Sequence, residues 1–585
     1  MNVWADGLSV IVDRAWVVFS IFATIIWGQV LIVAPLRKHF RSRFTNAEYA
    51  SLGMAGWILP VAFGAVLLFA GSYLFGDIAE LIFTLLAVTV FISALVYGKS
   101  YQVITPAWMP IFLISVILQF SFLDKTILPL YFDSAEHYRI IKFLTGYYEL
   151  TGSGQPLINY YHVGFHFISA AVAHLFQLGI VDIMLVFGQA VLVVLPFSLF
   201  FIIKQETQSN MAAAFACLLA GIGWHMPAHL VNWGKYPALF SLPGILFVFS
   251  IGYLLFQNKK SRPSILYLLM GFGILISVLI HSRSLVVFFF SAISLYLTFW
   301  RKRLPPIYQH LVFGIVLFIF MIEIGYVHKS AALSPLLDGY LRNDLWMIIL
   351  AAALTLFSIR FFTDLTFLLF ASLSFLVLGL FVPVHLPGFG TLTLLDRPYV
   401  QMLFYLPLSI FGGLGLAGLY RFLQGFYYYP KQLTRLAAFL MFGFVILNAM
   451  VNHDFYPSDC CQIVSRDDLT ALQWMDKTLP SDVSVLIASA DLFVTSFESP
   501  AAQAGVDGGV WISALISRKT FSLPGEADFY QSQTHAEVCK LGADYIYAGG
   551  MPQSFNVQQL DEQDNWYLPV FSLPAVKIYR VNGCE

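Results

Sequence analysis

The chain has 585 residues, of which 59% are hydrophobic, 17% aromatic and only 11% charged, with a formal net charge of −1. Soluble domains carry about 25% charged residues, so this composition excludes an ordinary soluble enzyme. The small net charge hides a division: residues 453–585 hold 17 acidic and 7 basic side chains, which leaves residues 1–452 at about +9, and the two parts are read as facing different surroundings.

Apolar runs long enough to cross roughly 30 Å of hydrocarbon at 1.5 Å per residue recur through the first 452 residues. They predict about fourteen spans: 15–36, 51–75, 78–97, 106–123, 182–203, 211–225, 237–257, 264–281, 284–300, 311–328, 345–360, 365–384, 398–421 and 436–452. The first run lacks a small-residue cleavage site and is followed by Arg37, Lys38, Arg41 and Arg43, so it reads as an uncleaved span. The short basic loops (37–43, 259–262, 301–303, 421–435) are assigned to the cytoplasm by the positive-inside rule, which places both termini outside. Counting crossings from either end leaves residues 159–179 without a net crossing. This segment is expected to lie along the outer interface, with His162, His166 and His174 as its polar edge; a full span, with another lost elsewhere, is the competing reading.

The polar loops then gather on the outer face, led by the acidic loop 124–181. Within it, Asp133, Glu136 and His137 stand at i, i+3 and i+4 and share one helical face. Such a trio can take a proton from a hydroxyl or hold a divalent cation, Mg2+ or Mn2+; a solvated interfacial helix is the plain alternative. Tyr161, His162 and His166 follow. Valine at 163 rules out the zinc-protease pattern, leaving hydrogen bonding to a sugar or phosphate, or interfacial anchoring. Lys235, His281, Arg283 and Arg397 are the remaining outer-loop candidates; the cations are suited to an anionic group or, more plainly, to lipid headgroups.

Residues 453–585 alternate in an α/β rhythm: helix 469–479, strand 483–489, helix 535–541, strands 544–548 and 576–581. Cys460 and Cys461 are adjacent and are expected not to pair with each other; with the tail outside the cytoplasm, one of them bonded to Cys539 or Cys584 would tether the ends of this domain, and unpaired buried thiols are the equal alternative.

Three motifs carry a family resemblance. They are Asp133-Ser-Ala-Glu136-His137 in an outer loop just after a span, Tyr160-Tyr161-His162-Val163-Gly164-Phe165-His166, and Asp396-Arg397-Pro398-Tyr399 before a span bearing Gly412, Gly413 and Gly415. Together they resemble the GT-C class of membrane glycosyltransferases. The tail, through Ala504–Ile512, Arg518, Ala543–Tyr547 and Lys577–Val581, is similar to the C-terminal domains of bacterial and archaeal members. The chain departs from the commonest members in placing three spans before the one that leads into the acidic loop, and in having Asp-Ser-x-x-His where they have Asp-Glu.

The resemblance implies a GT-C-like polytopic helical domain (1–452) with an extracytoplasmic α/β domain (453–585), in a plasma membrane. It implies transfer of a sugar from a polyprenyl-phosphate carrier to a glycan, lipid or protein acceptor, with inversion. Asp133 would be the base, Glu136 and His137 would assist, and Arg283 or Arg397 would stabilise the departing phosphate. No nucleic-acid partner is expected. The rival classes are a secondary transporter or flippase of a lipid-linked or envelope substrate, against which only Glu323 lies well inside a span, and a non-catalytic surface protein, against which stands the number of spans. The catalytic cavity is expected to be bounded by residues 133–166, 225–236, 281–283 and 385–399.

Overall fold

A computed structural model describes residues 2–40, 43–98, 109–148, 162–257, 264–386, 390–425, 431–496 and 502–584. An N-terminal helix α1 (Val3–Asp13), which the hydropathy pattern does not announce, precedes α2 (Ala15–Phe40), α3 (Asn46–Phe75), α4 (Asp77–Gly98) and α5 (Met109–Phe120). Two short helices follow, α6 (Asp133–Tyr148) and α7 (Gly164–Phe176), and then α8 (Ile180–Thr207), α9 (Asn210–Gly223), α10 (Met226–Asn232) and α11 (Tyr236–Gln257). The bundle closes with α12 (Ser264–Ile280), α13 (Ser284–Arg301), α14 (Pro306–Lys329), α15 (Pro335–Asn343), α16 (Leu345–Phe361), α17 (Thr363–Leu378), α18 (Arg397–Gln424) and α19 (Lys431–Asn452).

Among the described residues, eight helices are long and apolar enough to cross a bilayer, and two bent pairs, α9 with α10 and α15 with α16, raise this to ten. Expected spans 78–97, 264–281 and 365–384 fall on shorter apolar helices, and span 106–123 begins outside the described residues. Many of the long helices leave apolar side chains on the bundle's outside, as in α14, where Ile307, Phe318 and Tyr326 are exposed. That pattern suits a lipid surround, where exposed hydrocarbon carries no penalty.

Helix α7 corrects the sequence reading of 159–179. It does not lie on the surface with a polar histidine edge. His162 and His166 are buried, and His174 pairs with Glu80 on α4 at 2.9 Å. Its 13 residues rise only about 20 Å, too short to span, and it sits inside the bundle against α3, α6, α8 and α12.

Small residues set the closest helix contacts. A Cβ on Gly164 would come within 2.7 Å of the Ile280 Cα, and one on Gly415 or Gly418 would strike the backbone of Leu354 or Phe357 on α16. Such contacts let helices approach until backbones touch, as packing in lipid favours.

Beyond α19, helix α20 (Arg466–Thr478) leads into a mixed sheet. Strand β3 (Ser484–Leu492) pairs parallel with β5 (Lys519–Pro524) and β6 (Tyr545–Ala548) and antiparallel with β4 (Ala502–Gly505); β8 (Val576–Val581) lies antiparallel between β6 and β7 (Tyr567–Leu573). The smaller β1 (Pro383–Leu386) and β2 (Gly390–Thr393) form a hairpin between α17 and α18. Alternate residues of β3 serve opposite faces. Val485 and Ile487 pack with Leu472, Met475 and Trp511, and Leu486 and Ala488 with Val538 and Leu560. The first face also receives Leu128 and Ala135 from the membrane part, so the domain docks through its own core.

The disulfides differ from expectation. Cys539 pairs with Cys584, and the adjacent Cys460 and Cys461 pair with each other rather than reaching across the domain.

Two outcomes follow from this packing. Replacing Gly415 by valine forces α16 and α18 apart and should cost about 1–3 kcal/mol, read as a lowered detergent unfolding temperature; an unchanged midpoint would contradict the contact. In the soluble domain, Asp507 is buried, accepts from the Gly509 amide at 2.9 Å, the Gly549 amide at 3.1 Å and the Ser554 hydroxyl, and burial pushes its carboxyl up to about 6. A carboxyl raised on folding binds its proton more tightly folded than unfolded, so domain stability should fall as pH rises from about 4 to about 6 and stay level above. Amide protection factors for 502–584 should show this fall, and Asp507→Asn should remove it.

Candidate functional site

The polar groups of one helical-bundle face converge beneath the C-terminal domain. The Asp133 carboxylate, at the start of α6, is ion-paired through Oδ2 with the Lys235 ammonium, and both side chains are about three-quarters buried. Gly234 makes this approach possible. Its φ is +61°, and a Cβ there would meet the Ser134 hydroxyl and stand 2.8 Å from the Leu130 carbonyl. Tyr131, two residues before Asp133, adopts a left-handed φ of 66° and donates its amide to the Cys461 carbonyl at 3.0 Å. A bulky residue at positive φ is uncommon and gathers at constrained sites.

A second ion pair, Arg283 with Asp396, joins the α12–α13 turn to the start of α18. Asp396 also caps α18 by accepting from the Tyr399 amide at 2.9 Å. Arg397 donates from Nη1 to the Ala332 carbonyl at 3.0 Å, and its buried Nε has no protein partner. The two pairs share one field: Asp133, and beyond it Asp396, hold the Lys235 ammonium above its ordinary value against the downward pull of burial, and Lys235, Asp133 and Arg397 all act on the Tyr131 phenol.

Rings bridge the pairs. His162 stacks on His281 at 4.0 Å and His281 on Tyr399 at 4.6 Å, while the Ser282 amide donates to His162 Nδ1 at 3.1 Å. His137 and His166 share a hydrogen bond of 3.0 Å. Burial, then Lys235 and His162, pushes the His137 imidazole down to about 3; burial, then Arg283, pushes His162 down to about 2. Both are neutral at pH 7 and offer one donor and one acceptor nitrogen each.

The expected residues are thus partly gathered. Asp133, Lys235, His137, His162, His166, His281, Arg283 and Arg397 lie in this cluster, while Tyr161 is outside the described residues. Glu136 turns away into a bidentate pair with Arg139 at 2.7 and 2.8 Å. Asp133 is thus paired with an ammonium, Glu136 with a guanidinium and His137 with another imidazole. Among the described residues, one group of three metal-type ligands comes together, His535, Cys539 and Cys584, and both its sulfurs are in a disulfide.

Sequence reasoning missed one pair. His225 and Asp344 are 2% and 1% exposed, bonded to each other through His225 Nδ1, and each lies at the break of a bent helix pair. The Asp344 carboxylate also accepts the His225 amide at 3.1 Å. The available signals were an acid directly before the apolar run from Leu345 and a histidine after Gly221-Ile-Gly223-Trp.

A large cavity lies in another part of the bundle. It measures about 780 Å3 and is lined from α8, α11, α12, α13, α17 and α18, with Val287 and Leu403 one to two turns along α13 and α18 from Arg283 and Arg397. None of the described residues among 133–166, 225–236, 281–283 and 385–399 lines it.

No family model matches the chain, and a search of the curated proteins finds no relative. Geometry alone therefore carries the functional reading.

The Asp133–Lys235 pair can be tested by breaking and mending it. Lys235→Met leaves a largely buried carboxylate without its counter-charge and should cost about 2 kcal/mol, whereas Lys235→Met with Asp133→Asn should recover most of that loss. Equal unfolding midpoints for the single and double variants would show the pair to be unimportant.

Proposed function

We propose that the chain is a glycosyltransferase that moves a sugar from a polyprenyl-phosphate carrier to a hydroxyl acceptor on the membrane face that bears the C-terminal domain. The observation that carries this reading is the convergence of one carboxylate, Asp133, with three cations, Lys235, Arg283 and Arg397, at helix ends. A carboxylate beside a phosphate-binding set is what displacement at an anomeric carbon needs.

In the proposed reaction the acceptor oxygen bonds to the anomeric carbon as the bond from that carbon to the phosphate oxygen breaks. The hydroxyl proton passes to Asp133, whose Oδ2 faces Lys235 and whose Oδ1 is left for the acceptor. The carrier leaves as a polyprenyl phosphate, its charge met by Arg283 and by the unpartnered Nε of Arg397. The neutral rings of His162 and His281 would bind sugar hydroxyls. Displacement from the opposite side inverts the anomeric centre.

In the same proposal the bundle crosses the membrane about fourteen times, with the short basic loops in the cytoplasm and the C-terminal domain outside a plasma membrane. The three shorter apolar helices at 80–96, 264–280 and 363–378, together with α5, supply the four crossings beyond the ten that length and composition support.

One observation favours a transporter instead. Discontinuous helices with ionisable groups at their breaks are a transporter device, and His225 with Asp344 has that form. Uptake of substrate into liposomes without sugar transfer to any acceptor would select it.

With purified protein and polyprenyl-phosphate-linked sugars, Asp133→Asn should lower kcat at least about a hundredfold, the usual loss on removing a general base, while the protein still accumulates in the membrane. Arg397→Met should instead raise the donor KM about tenfold, roughly 1.4 kcal/mol of binding. Normal turnover by Asp133→Asn would end that residue's assignment as the base.

A further inference from the structure

The bundle's large cavity belongs to a different face from the site above. Interiors pack at crystal-like density with few voids larger than a water molecule, yet this one holds about 780 Å3, within the range of roughly 300–1,000 Å3 typical of ligand pockets. Most of its wall is apolar, with Phe249, Phe288, Leu365 and Leu403 among the lining residues. A space so lined does not hold ordered water.

Its charged residues collect at one end, with Tyr253 beside them. Glu206 ends α8, Tyr253 lies in the last turns of α11, Lys302 and Arg303 follow α13, and Asp364 begins α17. This is the end remote from the C-terminal domain. The carboxylates there are already engaged: Glu206 accepts from the Tyr253 hydroxyl, and Asp364 pairs with both Arg301 and Lys302, the latter at 2.6 Å. Arg303 is exposed, lies over the Phe299 ring at 4.2 Å, and has no carboxylate partner among the described residues. Three cations therefore face two committed acids at the mouth of an apolar chamber. That polarity matches an amphiphile with an anionic head and a hydrocarbon tail.

We propose that this cavity binds an anionic phospholipid from the leaflet on the side of the short basic loops, one acyl chain filling the chamber and the phosphate held by Lys302 and Arg303. Phosphate suits the guanidinium fork of Arg303, which can leave its ring contact without breaking an ion pair. The site is distinct from the proposed transfer site and does not depend on that reading.

Gly252 provides a clean probe. It lines the cavity, and a Cβ added there meets no atom within 4 Å, so a larger side chain enters the chamber rather than the packed core. The full-length protein in detergent, titrated with phosphatidylglycerol or phosphatidylcholine and followed by native mass spectrometry, should bind the anionic lipid about tenfold more tightly. Arg303→Gln, at an exposed position, should remove that preference. Gly252→Phe should abolish binding of both lipids, with Gly252→Ala, which fits the open space, as the folding control. Equal affinities for the two lipids in the unaltered protein would overturn the proposal. So would undiminished phosphatidylglycerol binding in a folded Gly252→Phe variant, or displacement of the phospholipid by polyprenyl phosphate, which would make the chamber a donor-tail groove.

Discussion

Hydrocarbon cannot solvate an ionised side chain or an open backbone polar group, and this constraint orders the whole molecule. Helices carry apolar side chains through the membrane part, and charges are driven to their ends. On one face the ends are short, basic loops. On the other they are longer, and there the expelled charges meet as Asp133 with Lys235 and Arg283 with Asp396. Once removed from bulk water, each such charge depends on its partner, so the pairs fix the positions of α6, the turn before α11, the α12–α13 turn and the start of α18 relative to one another.

The C-terminal domain completes this arrangement. Its Trp511 packs on Tyr138 at 5.7 Å, the Ala514 carbonyl accepts from Lys142 at 3.2 Å, and the Val494 carbonyl accepts the Arg397 amide at 2.9 Å. The domain therefore touches both α6 and α18, the elements that carry Asp133 and Arg397. A sequence division at residue 453 marks a change of composition, and across it the two parts share a packed interface. A site held from above by a folded domain and from below by stacked rings loses little of its geometry to loop motion, which suits chemistry that requires aligned groups.

Much of this was legible in the sequence, and the limits have physical causes. Hydropathy finds apolar helices because their signal is local and long. It does not distinguish a helix exposed to lipid from one surrounded by protein, so counting crossings leaves α7 on the interface although its His162 and His166 are buried. Spacing placed Asp133, Glu136 and His137 on one face, but three neighbours on a helix choose different partners. Here Lys235, Arg139 and His166, two of them distant in sequence, separate them. The strands from 484, 545 and 576 followed from alternation, whereas β4, β5 and β7 owe their existence to pairing. His225 and Asp344 are 119 residues apart and meet only because two helices break at the same depth.

In the proposed function, the cluster around Asp133 is where a lipid-linked sugar phosphate is bound. A structure of the full-length protein with a polyprenyl-phosphate analogue tests it most directly. The account predicts the phosphate within hydrogen-bonding distance of Arg283 or Arg397, beneath the C-terminal domain, with Asp133 facing the position of the anomeric carbon. A phosphate bound instead at the Lys302–Arg303 end of the bundle, or at the His225–Asp344 helix breaks, would contradict it.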